Sequence, residues 1–228
     1  MYERLFVVPL LIAGVAFSTD ASSAHHEDLD RIHNSREVIQ QIMQAPDKAI
    51  PQELLESAKC IAIIPGEKKV ALIVGGKYGK GLATCRTSHG WSAPVFMKVS
   101  GGSVGLQIGG SSTDVVMIFR TSDGLEKLLS DKFKIGAAVT AAAGPVGRHV
   151  AASTDIGMHA EILTYSRSRG VFAGVDLSGA VVEADTRGDT ALYGANTDRK
   201  QILEGKVAVP RPAQFLVRKI TEYARRAS

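Results

Sequence analysis

Apolar residues recur along this chain at two spacings, every second position and every third or fourth, and the order of the two predicts its architecture. The clearest stretch is residues 160–179, AEILTYSRSRGVFAGVDLSG. Ile162 to Tyr165 is wholly apolar or β-branched. Beyond the polar SRSRG, Val171, Ala173, Val175 and Leu177 alternate with Phe172, Gly174, Asp176 and Ser178. Two strands folded into a hairpin account for this, with Gly170 able to take the positive φ that closes the turn and Arg167 and Arg169 held in water.

On the N-terminal side, Leu29, Ile32, Ile39, Ile42 and Met43 share one helical face, which predicts a helix over residues 26–45 ended by Pro46. PQELLESA, residues 51–58, predicts a shorter helix with proline at its first position. Strands are predicted at residues 60–65, 69–76, 81–86 and 91–99, separated by glycine and polar residues, with GKYGKG at 76–81 as a hairpin turn. Val104, Leu106 and Ile108 alternate with Gly105, Gln107 and Gly109, and residues 115–119 are apolar throughout, as a strand covered on both faces would be. GLEKLLSDKF, residues 124–133, places Leu125, Leu128, Leu129 and Phe133 on one helical face, and residues 135–142 return to small and β-branched types. Val209-Pro210-Arg211-Pro212 opens a closing helix with Phe215, Leu216, Ile220 and Tyr223 apolar and Arg211, Arg218 and Arg225 spaced seven apart along its charged side. No solenoid or propeller period emerges. Strands do not alternate with helices as a doubly wound fold requires. The expected class is therefore α+β, a mostly antiparallel curled or barrel-like sheet with short helices at the N-terminus, middle and C-terminus.

Length adds that 228 residues suit one domain. The 23 glycines exceed the usual share of about 7% and lie mostly between short apolar runs, as a turn-rich sheet demands. Residues 5–17, LFVVPLLIAGVAF, are apolar but shorter than the roughly 20 residues that span a bilayer, and small residues follow. Residues 1–24 are read as a cleaved export signal, leaving 25–228 as the domain, with a retained anchor as the alternative. Val15 stands where an acylated cysteine would be, so lipidation is not expected. Charge is uneven: from residue 199 onward eight basic side chains face two acidic ones, a net +6, while the body is nearly neutral. A basic end segment attracts anionic surfaces, although its commonest meaning is a solvated helix face.

Candidate chemistry is sparse. Gly101-Gly102-Ser103-Val104-Gly105 matches a nucleophile elbow, but that motif turns a strand sharply into a helix, and here it leads into alternating strand sequence. GKYGKG has phosphate-loop glycines in the wrong order with no helix behind them, leaving Lys77 and Lys80 as modest candidates for headgroup contact. The six histidines lack metal-ligand spacing, so no metal and no cofactor is expected. Cys60 and Cys85, the two cysteines, form a disulfide or remain buried thiols in their strands; spacing does not decide between these.

PDKAIP at 46–51, CIAIIPG at 60–66, GGKYGKG at 75–81, GWSAPVF, GLQIGG followed by STDVV, AAGPVGR at 142–148, YSRSRGVFAGVDLSGAV at 165–181 and ALYG at 191–194 together resemble the SYLF domain family over about residues 29–205. The resemblance implies a non-catalytic lipid-binding domain; eukaryotic members are described as binding phosphoinositide membranes and yeast relatives actin filaments, and bacterial members are typically exported. The expectation for this chain is attachment to anionic phospholipid or a membrane surface from the periplasm or cell envelope. Neither nucleic acid nor actin is expected as partner. Lys77, Lys80, Arg167, Arg169, Arg211, Arg218 and Arg225 are the candidate lipid-binding residues. The alternatives are a structural envelope protein that binds another protein and, less favoured, a secreted hydrolase using Ser103.

Overall fold

A computed structural model describes residues 20–45, 49–71, 74–104, 109–145, 159–168, 171–174 and 177–225. In chain order the elements are α1 (Asp20–Met43), α2 (Gln52–Ser57), β1 (Cys60–Ala71), β2 (Val74–Thr87), β3 (Gly90–Trp91), β4 (Val95–Val104) and β5 (Gly109–Phe119). Then follow α3 (Ser122–Leu129), β6 (Lys132–Lys134), β7 (Ala141–Ala143), β8 (Ile162–Ser168), β9 (Val171–Gly174), β10 (Val181–Ala184), α4 (Thr186–Tyr193), α5 (Arg199–Leu203) and α6 (Arg211–Tyr223). The strands make one curled sheet, a half-barrel in the order β6-β10-β4-β2-β1-β5-β8-β7, with β3 added to β2 and β9 to β8. Every pairing between these strands is antiparallel except β7 with β8. The α+β class read from the pattern is the class observed.

Alternate residues of the central strands enter two different cores. Ile61 and Ile63 of β1, Val116 and Ile118 of β5, and Leu163 and Tyr165 of β8 face Ile39 and Ile42 of α1, Leu55 of α2 and Leu216 and Ile220 of α6. Ala62 and Ile64, Val115, Met117 and Phe119, and Ile162 face the other way, toward Leu128 of α3, Phe133, Leu177 and Ile202 and Leu203 of α5. The unbroken apolar run at 115–119 thus belongs to a strand covered on both sides, as its composition predicts.

The expected 160–179 hairpin is present as β8 and β9, paired from Tyr165 with Gly174 to Ser168 with Val171. Arg169 and Gly170 of its turn lie outside the described residues, as do residues 1–19 of the expected export signal. Several boundaries move. Pro65-Gly66 does not end a strand: β1 runs through it with an irregularity in its pairing to both neighbours, Gly66 at φ 62° donating its N–H to Asp114 Oδ1 at 2.9 Å. The two strands expected at 60–65 and 69–76 are therefore not separate elements, and the link from β1 to β2 falls at residues 72–73, outside the described ones. GKYGKG is likewise not a turn but the middle of β2, paired to both β1 and β4. The predicted strand at 91–99 divides into β3 and β4 around Pro94. Phe133 belongs to β6 rather than to the helix before it, which Thr121 caps by accepting from the Gly124 N–H and which ends at Leu129. Helices α4 and α5 have no counterpart in the expected pattern: the apolar residues of TRGDTALY are adjacent at its end instead of at helical spacing, and RKQIL is little more than one turn.

Cys60 and Cys85 are register partners on β1 and β2, Cα atoms 4.0 Å apart, and are joined by a disulfide with both residues fully buried. Unreduced protein, unfolded and alkylated, is expected to carry no adduct on mass measurement, and the Cys60→Ala, Cys85→Ala double variant to lose about 2–4 kcal/mol of stability. Two adducts would show free thiols. Gly81 lies where β2 passes the irregular part of β1, and a Cβ there would stand 2.3 Å from the Ile63 carbonyl oxygen. Gly81→Ala should therefore cost about 1–3 kcal/mol or more in a denaturant titration, because backbone and not a movable side chain blocks the space.

Candidate functional site

The seven candidate cations do not converge. Lys77 sits in β2 opposite Lys69 and Gly101, its side chain outside the described region. Lys80, on the same strand, is half-buried and paired with Glu27 of α1 at 2.6 Å. Arg167 of β8 is bound to Asp114 on the neighbouring β5, its Nε donating to Oδ2 at 2.7 Å. Three strand steps separate β2 from β8, about 14 Å at the usual interstrand spacing. Ser103 lies in continuous β4 backbone paired with Gly75, so the strand-to-helix turn that an elbow needs does not follow it directly.

Arg211, Arg218 and Arg225 do share a surface. Spaced by seven, they fall within a narrow arc of the α6 face opposite buried Ala213, Leu216 and Ile220, with Arg225 just past the last helical residue, and all three are exposed. None of them has a carboxylate within ion-pairing distance among the described residues. Phe215 is on the same side and 39% exposed, one of two large hydrophobic side chains so exposed among the described residues. The guanidinium of Arg218 lies 4.7 Å from its ring centroid and that of Arg36, reaching from α1, 5.1 Å. Pro210 before the helix and Pro212 inside its first turn set where this face begins, since proline is tolerated there and not deeper.

A second constellation, invisible in the pattern, joins α1, β4, α4 and α5 around Phe96. The buried stripe of α1 ends not on leucine but on Asp28 and Arg31, three residues apart and 3.0 Å from each other. Arg31 also donates to Asp185 Oδ2 at 3.0 Å, and Lys98 reaches Asp185 Oδ1 at the same distance. The Arg31 guanidinium lies 4.7 Å over the Phe96 ring. Behind it, the Phe96 N–H donates to Asp189 at 2.6 Å, and Arg199 donates both to Asp189 at 2.6 Å and to the Phe96 carbonyl at 2.7 Å. Spacing could have found only Asp28 and Arg31, at i and i+3 of one helix; the other members come from distant elements, Asp185 lying 154 positions from Arg31.

Each carboxylate of this constellation has a cationic partner, which suits a lock between elements rather than acid–base work. Burial raises the pKa of Asp28 and of Asp189 against the pull of Arg31 and Arg199. At Asp185 burial, the largest single influence, also pushes upward, but hydrogen bonds and charge from Lys98 and Arg31 together outweigh it and the pKa ends below 3.8. A carboxyl lowered by folding stabilises fully above its unfolded value, and that contribution fades as pH falls through the lowered one. Asp185→Asn should thus cost about 3 kcal/mol at pH 7, as for one partner removed from a buried pair. The Tm gap between parent and variant should stay level from about pH 8 to pH 5 and narrow only below about pH 4. A gap already closing near pH 6 would assign the dependence to another group. Among the described residues no cluster of three His, Cys, Asp or Glu could hold a metal, and no helix is long and apolar enough to cross a membrane.

Residues 100–223 match the family model described as "Ysc84: Las17-binding protein actin regulator". The chain is 34% identical over 72% of its length to LAS seventeen-binding protein 3 of Saccharomyces cerevisiae and 34% identical over 75% to Protein YSC84 of the same yeast. It is 32% identical over 74% to the human SH3 domain-containing YSC84-like protein 1. These alignments span 36%, 37% and 49% of the relatives, so the shared region is between a third and half of each. With a family match over more than half of the chain and 32–34% identity to these proteins over about three quarters of it, the chain belongs to the Ysc84, or SYLF domain, family.

Proposed function

We propose that this chain is a non-catalytic binding domain that attaches reversibly to anionic phospholipid surfaces through the outer face of α6. The observation that carries this reading is the set of exposed arginines, Arg211, Arg218 and Arg225, on the same side of the helix as the exposed ring of Phe215. A cation near an anionic bilayer contributes about 1 kcal/mol, and burying the 39% of Phe215 that is exposed adds about 1 kcal/mol, so the three arginines and the ring together suffice for reversible attachment without a spanning segment. Arg36 widens the patch from α1. Export by residues 1–24 into the periplasm or envelope belongs to the same proposal. It is supported by the apolar run at 5–17 and by the Cys60–Cys85 disulfide, a bond that persists in oxidising compartments.

A second reading, docking to a protein partner, is favoured by the words the family carries, Las17-binding and actin regulator. The same arginines would then meet an acidic protein surface, and binding would not depend on lipid.

Protein from His25 onward should co-sediment with vesicles rich in anionic lipid and hardly with phosphatidylcholine. Raising salt from 0.1 M to 1 M shortens the Debye length from about 10 Å to about 3 Å and should release most of the bound protein. Replacing Arg211, Arg218 and Arg225 together by Gln should weaken binding by a few kcal/mol at low salt with the melting curve unchanged, because exposed helix positions accept Gln. Should neither vesicle type bind at any salt, the membrane reading falls; a triple variant that binds like the parent would move the contact away from α6.

A further inference from the structure

Along the flank of α6 runs a groove of about 560 Å³, within the size range of small-ligand sites. Val209 and Val217 line it, together with Gln214 and Thr221. Its neutral polar groups are already occupied: the Gln214 side-chain amide donates to the Val209 carbonyl at 3.4 Å and the Thr221 hydroxyl to the Val217 carbonyl at 2.8 Å. Glu222 also borders the groove, but Lys219 holds its carboxylate at 2.8 Å. The charges left over are Arg218 and Arg225, two helical turns apart, exposed, and without a carboxylate partner among the described residues. A concave wall that is mostly apolar, with its neutral hydrogen-bonding groups satisfied and two uncompensated guanidiniums beside it, complements one kind of molecule. That molecule has a flexible apolar chain joined to an anionic head.

We propose that this groove binds a single anionic phospholipid, its phosphate between Arg218 and Arg225 and an acyl chain along Val209 and Val217. The proposal rests on the membrane reading above and deepens it, from attraction to a charged surface to recognition of one lipid molecule. Arg218 serves both, lying over Phe215 on one side and beside the groove on the other. A surface-bound domain would then hold one lipid in a defined place, and chain burial would make that part of the affinity resistant to salt, unlike the screened attraction of the arginine face.

The test uses dihexanoyl phosphatidylglycerol below its micellar concentration, titrated into the full chain by calorimetry, with glycerol phosphate as the chain-free control. One saturable site per chain is expected for the lipid and none for glycerol phosphate over the same concentrations. Gln214→Trp, at an exposed position that lines the groove, should fill it and weaken lipid binding tenfold or more, while Gln214→Ala should bind like the parent; both should melt as the parent does and still sediment with anionic vesicles. Equal binding of glycerol phosphate and lipid would mean that phosphate alone is recognised and would overturn the groove proposal. So would a Gln214→Trp variant that binds normally, or saturable capture of an acidic, apolar peptide in place of lipid. If anionic vesicles sediment the chain but the short-chain lipid does not bind, the groove fails and the membrane reading stands; if vesicles fail as well, the reading beneath it has failed.

Discussion

A strand buried on both faces can exist only if something covers it twice, and β1 and β5 impose that requirement on this chain. Ile61 to Ile64 and Val115 to Phe119 are at most 2% exposed, with consecutive residues facing opposite cores. Their backbone groups are satisfied along the ladders to β2 and β8, so the sheet must extend beyond them on each side, and each of its faces needs helices. One cover is built from α1, α2 and α6, the other from α3, α5 and the segment around Phe133 and Leu177. That division explains why an α+β chain with little alternation of helix and strand still encloses two hydrophobic layers.

The apolar layers do not by themselves fix how α1 meets the β4 side of the sheet. Phe96 does much of that work because its ring and both of its backbone groups are engaged. Its ring carries Arg31, its N–H is taken by Asp189, and its carbonyl accepts from the Asp185 N–H and from Arg199. Gly188 allows α4 to come this close, since a Cβ there would stand 2.9 Å from the ring. Buried ion pairs of this kind contribute little net stability compared with apolar replacements, but breaking one leaves a charge stranded, and the cost of every other arrangement favours a single docking of α1 and α4.

How much of this was legible follows from the range over which each signal acts. Helices α1, α3 and α6, the hairpin of β8 and β9, and the two-sided burial of β5 are written in periodicity within a dozen residues. Misread boundaries came from local signals overruled at a distance. Pro65-Gly66 looks like a turn, yet Asp114 on β5 binds the Gly66 N–H and the strand continues. GKYGKG looks like a turn, yet partners on both sides hold it in the sheet. Of the candidate cations, seven-residue spacing correctly grouped Arg211, Arg218 and Arg225 on one face. Nothing local could show that Lys80 and Arg167 were already taken by Glu27 and Asp114, or that Asp185 would meet Arg31 across 154 positions.

Where the excess positive charge ends up follows from the same pairings. The body of the chain carries many cations, and among the described residues several that meet the helix-covered face of the sheet are neutralised in place: Arg31 by Asp28 and Asp185, Lys80 by Glu27, Lys98 by Asp185, Arg167 by Asp114. Burial makes this necessary, since an unpaired charge near a core costs far more than a paired one. Surface helices face no such demand, and in α6 the residues that the core requires, Ala213, Leu216, Val217 and Ile220, occupy one side completely. The other side is free of packing constraint, and there Arg211, Arg218 and Phe215 stay exposed. A ring left 39% exposed at the edge of a well-packed α1–α6 contact is not required by the fold. Its place between two guanidiniums keeps it in a fixed position, which turns an ordinary amphipathic helix into a surface with a defined apolar point inside a basic field.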